Sequence, residues 1–182
     1  MTKTEQQFKD NIELCSNIFS KKTKDYGTAW RILRTSSLTD QIFIKANRIR
    51  SIEEKGEQKI NEDIRDEFIA IVNYSVMALI QLYHKPKDDE DIKMPTELVI
   101  ELYSKYIIAA KDLMLNKNHD YGEAWRDMRI SSLTDIILMK LLRLKQIEDN
   151  KGKTIISEGP EGSYNDMINY AMFALIKISE GE

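Results

Sequence analysis

The sequence has one cysteine, three prolines, two histidines and no long apolar run. A lone thiol cannot close an internal disulfide or build a cysteine zinc cluster. Cys15 stands among apolar positions of a helical pattern, so a small buried hydrophobe is expected there. No stretch approaches the roughly 20 apolar residues that cross a bilayer. The opening residues Met1 to Gln7 lack the apolar core of a secretory signal, so a cytoplasmic location without a membrane partner is expected. His84 and His119 show no metal-ligand spacing, and no Gly-rich phosphate loop or Ser-His-Asp pattern is present. A formal net charge of −3 excludes broad nucleic-acid binding, which draws on a surplus of Lys and Arg. Strand-like alternation is also missing, and the apolar residues fall at helical spacing. The expected class is all-α.

What the sequence does have is itself twice. Asp25 to Glu53 aligns without gaps on Asp120 to Glu148, and 17 of the 29 positions are identical. The offset of 95 becomes 96 after one insertion, where Asn73-Tyr74 matches Asn169-Tyr170. The division read from this is a first repeat over 1–84, a charged, proline-broken linker over 85–95, and a second repeat over 96–182. Each copy carries three helical patterns. The first runs through Phe8, Ile12, Cys15 and Phe19, with Leu98, Leu102, Tyr106 and Leu113 as its counterpart. The second spans about 38–55 and 133–150, with Gly56 and Gly152 suited to the C-terminal ends. The third covers about 63–83 and 164–178, and short extra helices fit the 25–36 and 120–131 segments. Three helices bury little by themselves. The expectation is therefore tandem duplicated three-helix units packed as one pseudo-twofold helical bundle.

Both copies retain one polar signature. Asp25-Tyr26-Gly27 and Asp120-Tyr121-Gly122 read as helix stops, but a stop does not explain the tyrosine, tryptophan and arginines kept around them. Tyr26 with Trp30, and Tyr121 with Trp125, can stack a base, while Arg31, Arg34, Arg126 and Arg129 can grip phosphate. An aromatic plug with surface arginines accounts for them equally well. Ser37-Leu38-Thr39-Asp40 and Ser132-Leu133-Thr134-Asp135 read as capping boxes, a role favoured over metal ligation for Asp40 and Asp135. Lys45 falls inside the apolar arc formed by Leu38, Ile42, Ile49 and Ile52, and Lys140 inside the matching arc. A lysine there needs a partner unless it snorkels. Arg48 and Arg143 lie at the edge of the same arcs. The third helix supplies the acids: Asp66 and Asp166 near Asn73 and Asn169. Asp63, Glu67, Glu158 and Glu161 are weaker candidates, since such residues usually sit in solvent.

These residues resemble the first type of nucleotide-modification-associated domain, whose pattern runs Asp-Tyr-Gly, an aromatic, Lys-x-x-Arg on a helix, then acids ahead of Asn-Tyr. Here that is Asp25-Tyr26-Gly27, Lys45-x-x-Arg48 and Asn73-Tyr74, repeated as Asp120-Tyr121-Gly122, Lys140-x-x-Arg143 and Asn169-Tyr170. The resemblance implies a link to nucleotide metabolism. More distantly, the plan is similar to the all-α MazG-type pyrophosphatases, but Lys and Arg stand where those have Glu-x-x-Glu. In the enzymatic reading, Asp25, Asp120, Lys45 and Lys140 are catalytic in phosphoanhydride hydrolysis. Asp40, Asp66, Asp135 and Asp166 would then hold Mg²⁺. Tyr26, Trp30, Arg31, Arg34, Arg48 and Asn73, with Tyr121, Trp125, Arg126, Arg129, Arg143 and Asn169, would hold the substrate. The expected partner is a small nucleotide or another phosphate-containing ligand, with self-association into a homo-oligomer allowed. A non-catalytic nucleotide or anion binder and a purely structural helical protein are the alternatives.

Overall fold

Apolar residues at three- and four-residue spacing give each copy three long helices. The computed structural model describes residues 1–56, 63–157 and 159–182. The helices are α1 (Lys3–Tyr26), α2 (Thr35–Lys55), α3 (Ile64–Tyr83), α4 (Thr96–Tyr121), α5 (Ile130–Asp149) and α6 (Pro160–Ser179). Short 3₁₀ turns lie at Ala29–Ile32, Glu90–Ile92 and Ala124–Asp127. No strand is present among the described residues. No helix among them is long and apolar enough to cross a membrane.

The glycine of each Asp-Tyr-Gly ends its helix as the sequence predicts. Gly27 has φ 67° and Gly122 φ 60°, and their N–H groups bond back to the Thr23 and Asn118 carbonyls. A side chain at that φ is strained, which accounts for the glycine in both copies. Gly56, also left-handed, closes α2, but Gly152 does not close α5: that helix is capped at Asn150, and the left-handed turn begins at Lys151 with φ 56°. The predicted capping boxes do not form. α2 and α5 begin three residues earlier than serine caps require, with Arg34 and Arg129 at the cap positions and no side-chain cap bond. Ser37 and Ser132 are already inside the helix, their N–H groups bonded to the Arg34 and Arg129 carbonyls.

The copies share one core. α3 and α6 pack against each other at the centre, and each is also covered by the second helix of its own copy. Phe68, Ile71, Val72 and Leu79 on α3, and Tyr164, Ile168, Met172 and Leu175 on α6, are at most 1% exposed. At about 1.5–3 kcal/mol for each large apolar side chain fully buried, these eight side chains contribute heavily to the stability. Phe19 of α1 stacks on Tyr103 of α4 with centroids 4.4 Å apart, and Phe8 meets Phe173 edge-on at 5.8 Å. Both contacts join one copy to the other.

Reciprocal polar pairs show the pseudo-twofold relation directly. Asp40 pairs with Lys145 at 3.1 Å, and Arg50 with Asp135 at 3.8 Å. Each residue lies 95 positions from its equivalent in the other pair. The Thr39 hydroxyl donates to Glu148 at 2.6 Å, and Thr134 stands in the same relation to Glu53. Tyr164, wholly buried, adds its hydroxyl to the Thr39–Glu148 bond. Burial holds the Glu53 and Glu148 carboxyls above the usual carboxylate range, with the threonine bonds pulling the other way.

One helical face differs from the sequence reading. Leu98 and Leu113 of α4 are 42% and 37% exposed, while Val99, Tyr103, Ile107, Ala110 and Met114 are buried. The repeat itself marks this face, since Phe8, Cys15 and Phe19 map onto Tyr103, Ala110 and Met114 at the 95 offset. Cys15 is buried as expected, and burial pushes its thiol up to about 12.

Candidate functional site

α1, the 3₁₀ turn after it, α2 and α3 enclose a cleft of about 520 Å³ in the first copy. α4, its following turn, α5 and α6 enclose one of about 440 Å³ in the second. All twelve residues that line the second cleft occupy positions whose equivalents line the first. Lys22, Tyr26, Trp30, Lys45, Asn73 and Tyr74 become Lys117, Tyr121, Trp125, Lys140, Asn169 and Tyr170. The walls are apolar: Phe19, Leu33 and Met77 in one cleft, Met114, Met128 and Phe173 in the other. A concave, largely apolar surface with a few converging polar groups is the usual form of a small-molecule site.

The aromatic residues divide into rims and floors. Tyr26 and Tyr121 are 72% and 74% exposed at the cleft mouths. Trp30 packs edge-on against Phe19. Trp125 is stacked on Phe173 at 4.4 Å, with the Arg126 guanidinium also over its ring at 4.4 Å. The tryptophan ring of the second copy is thus already covered, and its edge is what it can offer a ligand. In both copies the indole Nε1 is buried with no hydrogen-bond partner. A buried donor left without an acceptor costs roughly 1–3 kcal/mol, so two equivalent cases in one chain call for an explanation.

Asn73 and Asn169 fix the floors. Asn73 donates to the Cys15 carbonyl and accepts from the Tyr103 hydroxyl at 2.6 Å. Asn169 donates to the Ala110 carbonyl, but its Oδ1 is buried without a partner. The cause is visible in the sequence: the position equivalent to Tyr103 is Phe8, which has no hydroxyl. Two residues of the second cleft lining therefore carry an unpaired buried donor and an unpaired buried acceptor.

Lys45 and Lys140 are held as their place on the apolar arc requires, each by a carboxylate of the third helix. Lys140 meets Asp166 at 2.8 Å, and Lys117 joins the same carboxylate at 3.0 Å. Lys45 does not use Asp66. Its partner is Glu67, 3.4 Å away and 2% exposed, which Arg48 also grips. Glu67 Oε2 has this ion pair but no hydrogen bond. The expectation that Glu67 sits in solvent is overturned, because two cations compensate its burial. The copies split the acids between them. Ser163 stands where Glu67 would be, and Ala70 where Asp166 would be.

Other predicted residues are placed elsewhere. Asp25 and Asp120 are exposed in the last turns of α1 and α4, and neither lines a cleft. Asp40 and Asp135 serve the α2–α5 ion pairs at the surface, apart from Asp66 and Asp166. Arg31 is 4% exposed and bonds to Gln81 and the His84 and Asp91 carbonyls, tying the first copy to the linker. Arg126 binds Glu123, Glu180, Thr4 and Gln7, so it fastens the chain ends rather than a phosphate. Arg34 and Arg129 are exposed at the starts of α2 and α5. Asp66 is exposed at the rim of the first cleft. Asp63 caps α3, and Glu158 lies outside the described residues. Among the described residues, no group of three or more His, Cys, Asp or Glu side chains is placed to hold a metal ion. Sequence reasoning missed Gln81 and Lys177, equivalent buried residues that bond the Arg31 and Arg126 carbonyls and brace the 3₁₀ turns. Their polarity inside the apolar run of each third helix was the available signal.

Residues 22–82 and 117–178 each match the family described as nucleotide modification associated domain 1. The chain belongs to that family. The two matched segments contain both clefts except for Ile18, Phe19 and Met114, so this chain carries the family's unit twice within one core. No curated protein and no solved structure matches the chain.

Proposed function

We propose that this member of the nucleotide modification associated domain 1 family is a nucleotide-binding protein, with the flat base held in the Trp-Tyr cleft and phosphate facing the lysines. The observation that carries the reading is the repeated cleft, with the same buried, unpartnered indole N–H in both copies. A base supplies what each cleft lacks: a planar apolar body and ring or exocyclic acceptors. Tyr26 and Tyr121 at the mouths offer stacking faces worth about 1–3 kcal/mol per base. Lys22 and Lys45, or Lys117 and Lys140, supply the positive charge a phosphate seeks.

Mg²⁺ enters this reading as an ion carried by the ligand. Each cleft lining includes one carboxylate, Asp66 or Asp166. That donor set does not make an all-protein cage, but Mg²⁺ is commonly held by one or two carboxylates plus the phosphates themselves. Hydrolysis of a phosphoanhydride is the second reading, favoured by the placement of an acid beside the cleft lysines.

Calorimetry with matched nucleosides and nucleotides, with and without Mg²⁺, tests the proposal. Binding of the nucleosides, strengthened by the phosphates, is the expected result. Failure of every base-bearing ligand to bind would reject it. Turnover that depends on Mg²⁺ and disappears in Lys140→Met would add the hydrolytic reading to the binding one.

A further inference from the structure

The first turns of α3 and α6 are equivalent in the repeat, yet their chemistry is opposite. Asp63, Asp66 and Glu67 of the first copy align with Gly159, Gly162 and Ser163 of the second. In the first copy two of these carboxylates satisfy local demand: Asp63 accepts the Arg65 N–H, and Glu67 takes Lys45 and Arg48. In the second copy the same place is an open cavity of about 540 Å³, lined in part by Lys140, Arg143, Thr154, Gly162 and Ser163. Arg143, the equivalent of Arg48, is exposed there and has no ion pair or hydrogen bond among the described residues.

We propose that this cavity is a phosphate-binding site, and that in the first copy the Glu67 carboxylate takes the place of the phosphate beside the equivalent cations. Glu67 shows what the Lys-x-x-Arg pair binds when an anion is supplied: both cations converge on one group. With Ser163 in its place, Lys140 and Arg143 face a space where a phosphate can enter, and serine can donate to it. Asp166 also borders the cavity, but Lys117 and Lys140 already hold it. Glu161, the acid of this helix turn, lies against the Tyr83 hydroxyl on another side. The cavity adjoins the second cleft, and the Lys140–Asp166 pair borders both. A nucleotide spanning them would place its base edge toward Trp125 and Asn169, whose Nε1 and Oδ1 are two of the buried groups without hydrogen-bond partners. This deepens the nucleotide reading, on which it rests for the base alone.

The test is an NMR titration of the whole protein with inorganic phosphate, following the arginine Nε–Hε resonances. Arg143 should shift saturably, while Arg48 should stay in place because Glu67 already occupies its partner position. Ser163→Glu should weaken phosphate binding at Arg143 about tenfold or more, the scale of a charged hydrogen bond lost, and Arg143→Gln, followed at the Ser163 backbone amide, should weaken it to the same degree. An Arg143 signal indifferent to phosphate, an equal response at Arg48, or full affinity in Ser163→Glu would each overturn the proposal. Phosphate binding without any nucleoside binding would leave this site standing and reject the base cleft. Nucleoside binding without a phosphate response would do the reverse.

Discussion

Glu67 is a buried charge of the first copy, and its removal can be set against removal of its partners. The carboxylate is 2% exposed, whereas the Lys45 and Arg48 side chains are 29% and 24% exposed. In Glu67→Gln the shape survives and the two cations can turn to water, so the expected cost is about 1–2 kcal/mol. In the double variant Lys45→Met/Arg48→Met the carboxylate stays buried without compensation, which costs about 3–5 kcal/mol. For a chain of this length each kcal/mol moves Tm by roughly 2–4 °C, so the double variant should melt about 6–20 °C lower. Adding Glu67→Leu to the double variant removes the stranded charge and should restore most of that loss. Circular dichroism melts of the four proteins decide the matter. A double variant no less stable than Glu67→Gln, or no rescue in the triple variant, would refute the assignment of Glu67 as a desolvated, cation-dependent carboxylate.

Three further outcomes are expected. Because burial raises Glu53 and Glu148, the folded chain binds their protons more tightly than the unfolded chain, a contribution fully present below the unfolded value near 4.3 and lost as pH rises through the folded one. Glu53→Gln/Glu148→Gln should therefore gain stability over the parent with rising pH, and a constant difference in denaturant melts from pH 4 to 7 would contradict this. Arg31→Ala strips three acceptors of a buried donor and should cost about 2–3 kcal/mol while speeding amide exchange across 85–95; unchanged exchange there would show that Arg31 does not tie down the linker. The Asp25→Ala/Asp120→Ala pair, exposed and outside the clefts, should leave nucleotide affinity within twofold by calorimetry, and a loss beyond tenfold would return those acids to the site.

The duplication, the six helices and three of the four glycine stops were legible because they rest on local chemistry: helical periodicity and positive φ. The lysines on the apolar arc were legible for the same reason, since Lys45 and Lys140 had to find partners. The identity of those partners was not. Glu67 and Asp66 are adjacent, and only the packing of α2 on α3 decides which one turns inward. Arg31 and Arg126 looked like phosphate ligands because nothing local records that the linker and the chain ends would come to them. Ser37 and Ser132 satisfied the capping pattern, yet helical geometry continued one turn further toward the N-terminus. The unpaired Oδ1 of Asn169 was readable in principle, through Phe8 standing where the repeat puts Tyr103, but only once α4 and α1 are known to lie over the opposite clefts.

The chain has two tryptophans, one in each cleft, so fluorescence reports the clefts separately. Titrating Trp30→Phe and Trp125→Phe with a nucleotide is the most direct test of the clefts as base sites. The account predicts a saturable change in each remaining indole, at lower ligand concentration for Trp125 than for Trp30. Two indoles that stay silent under every nucleotide, in proteins that melt like the parent, would contradict it.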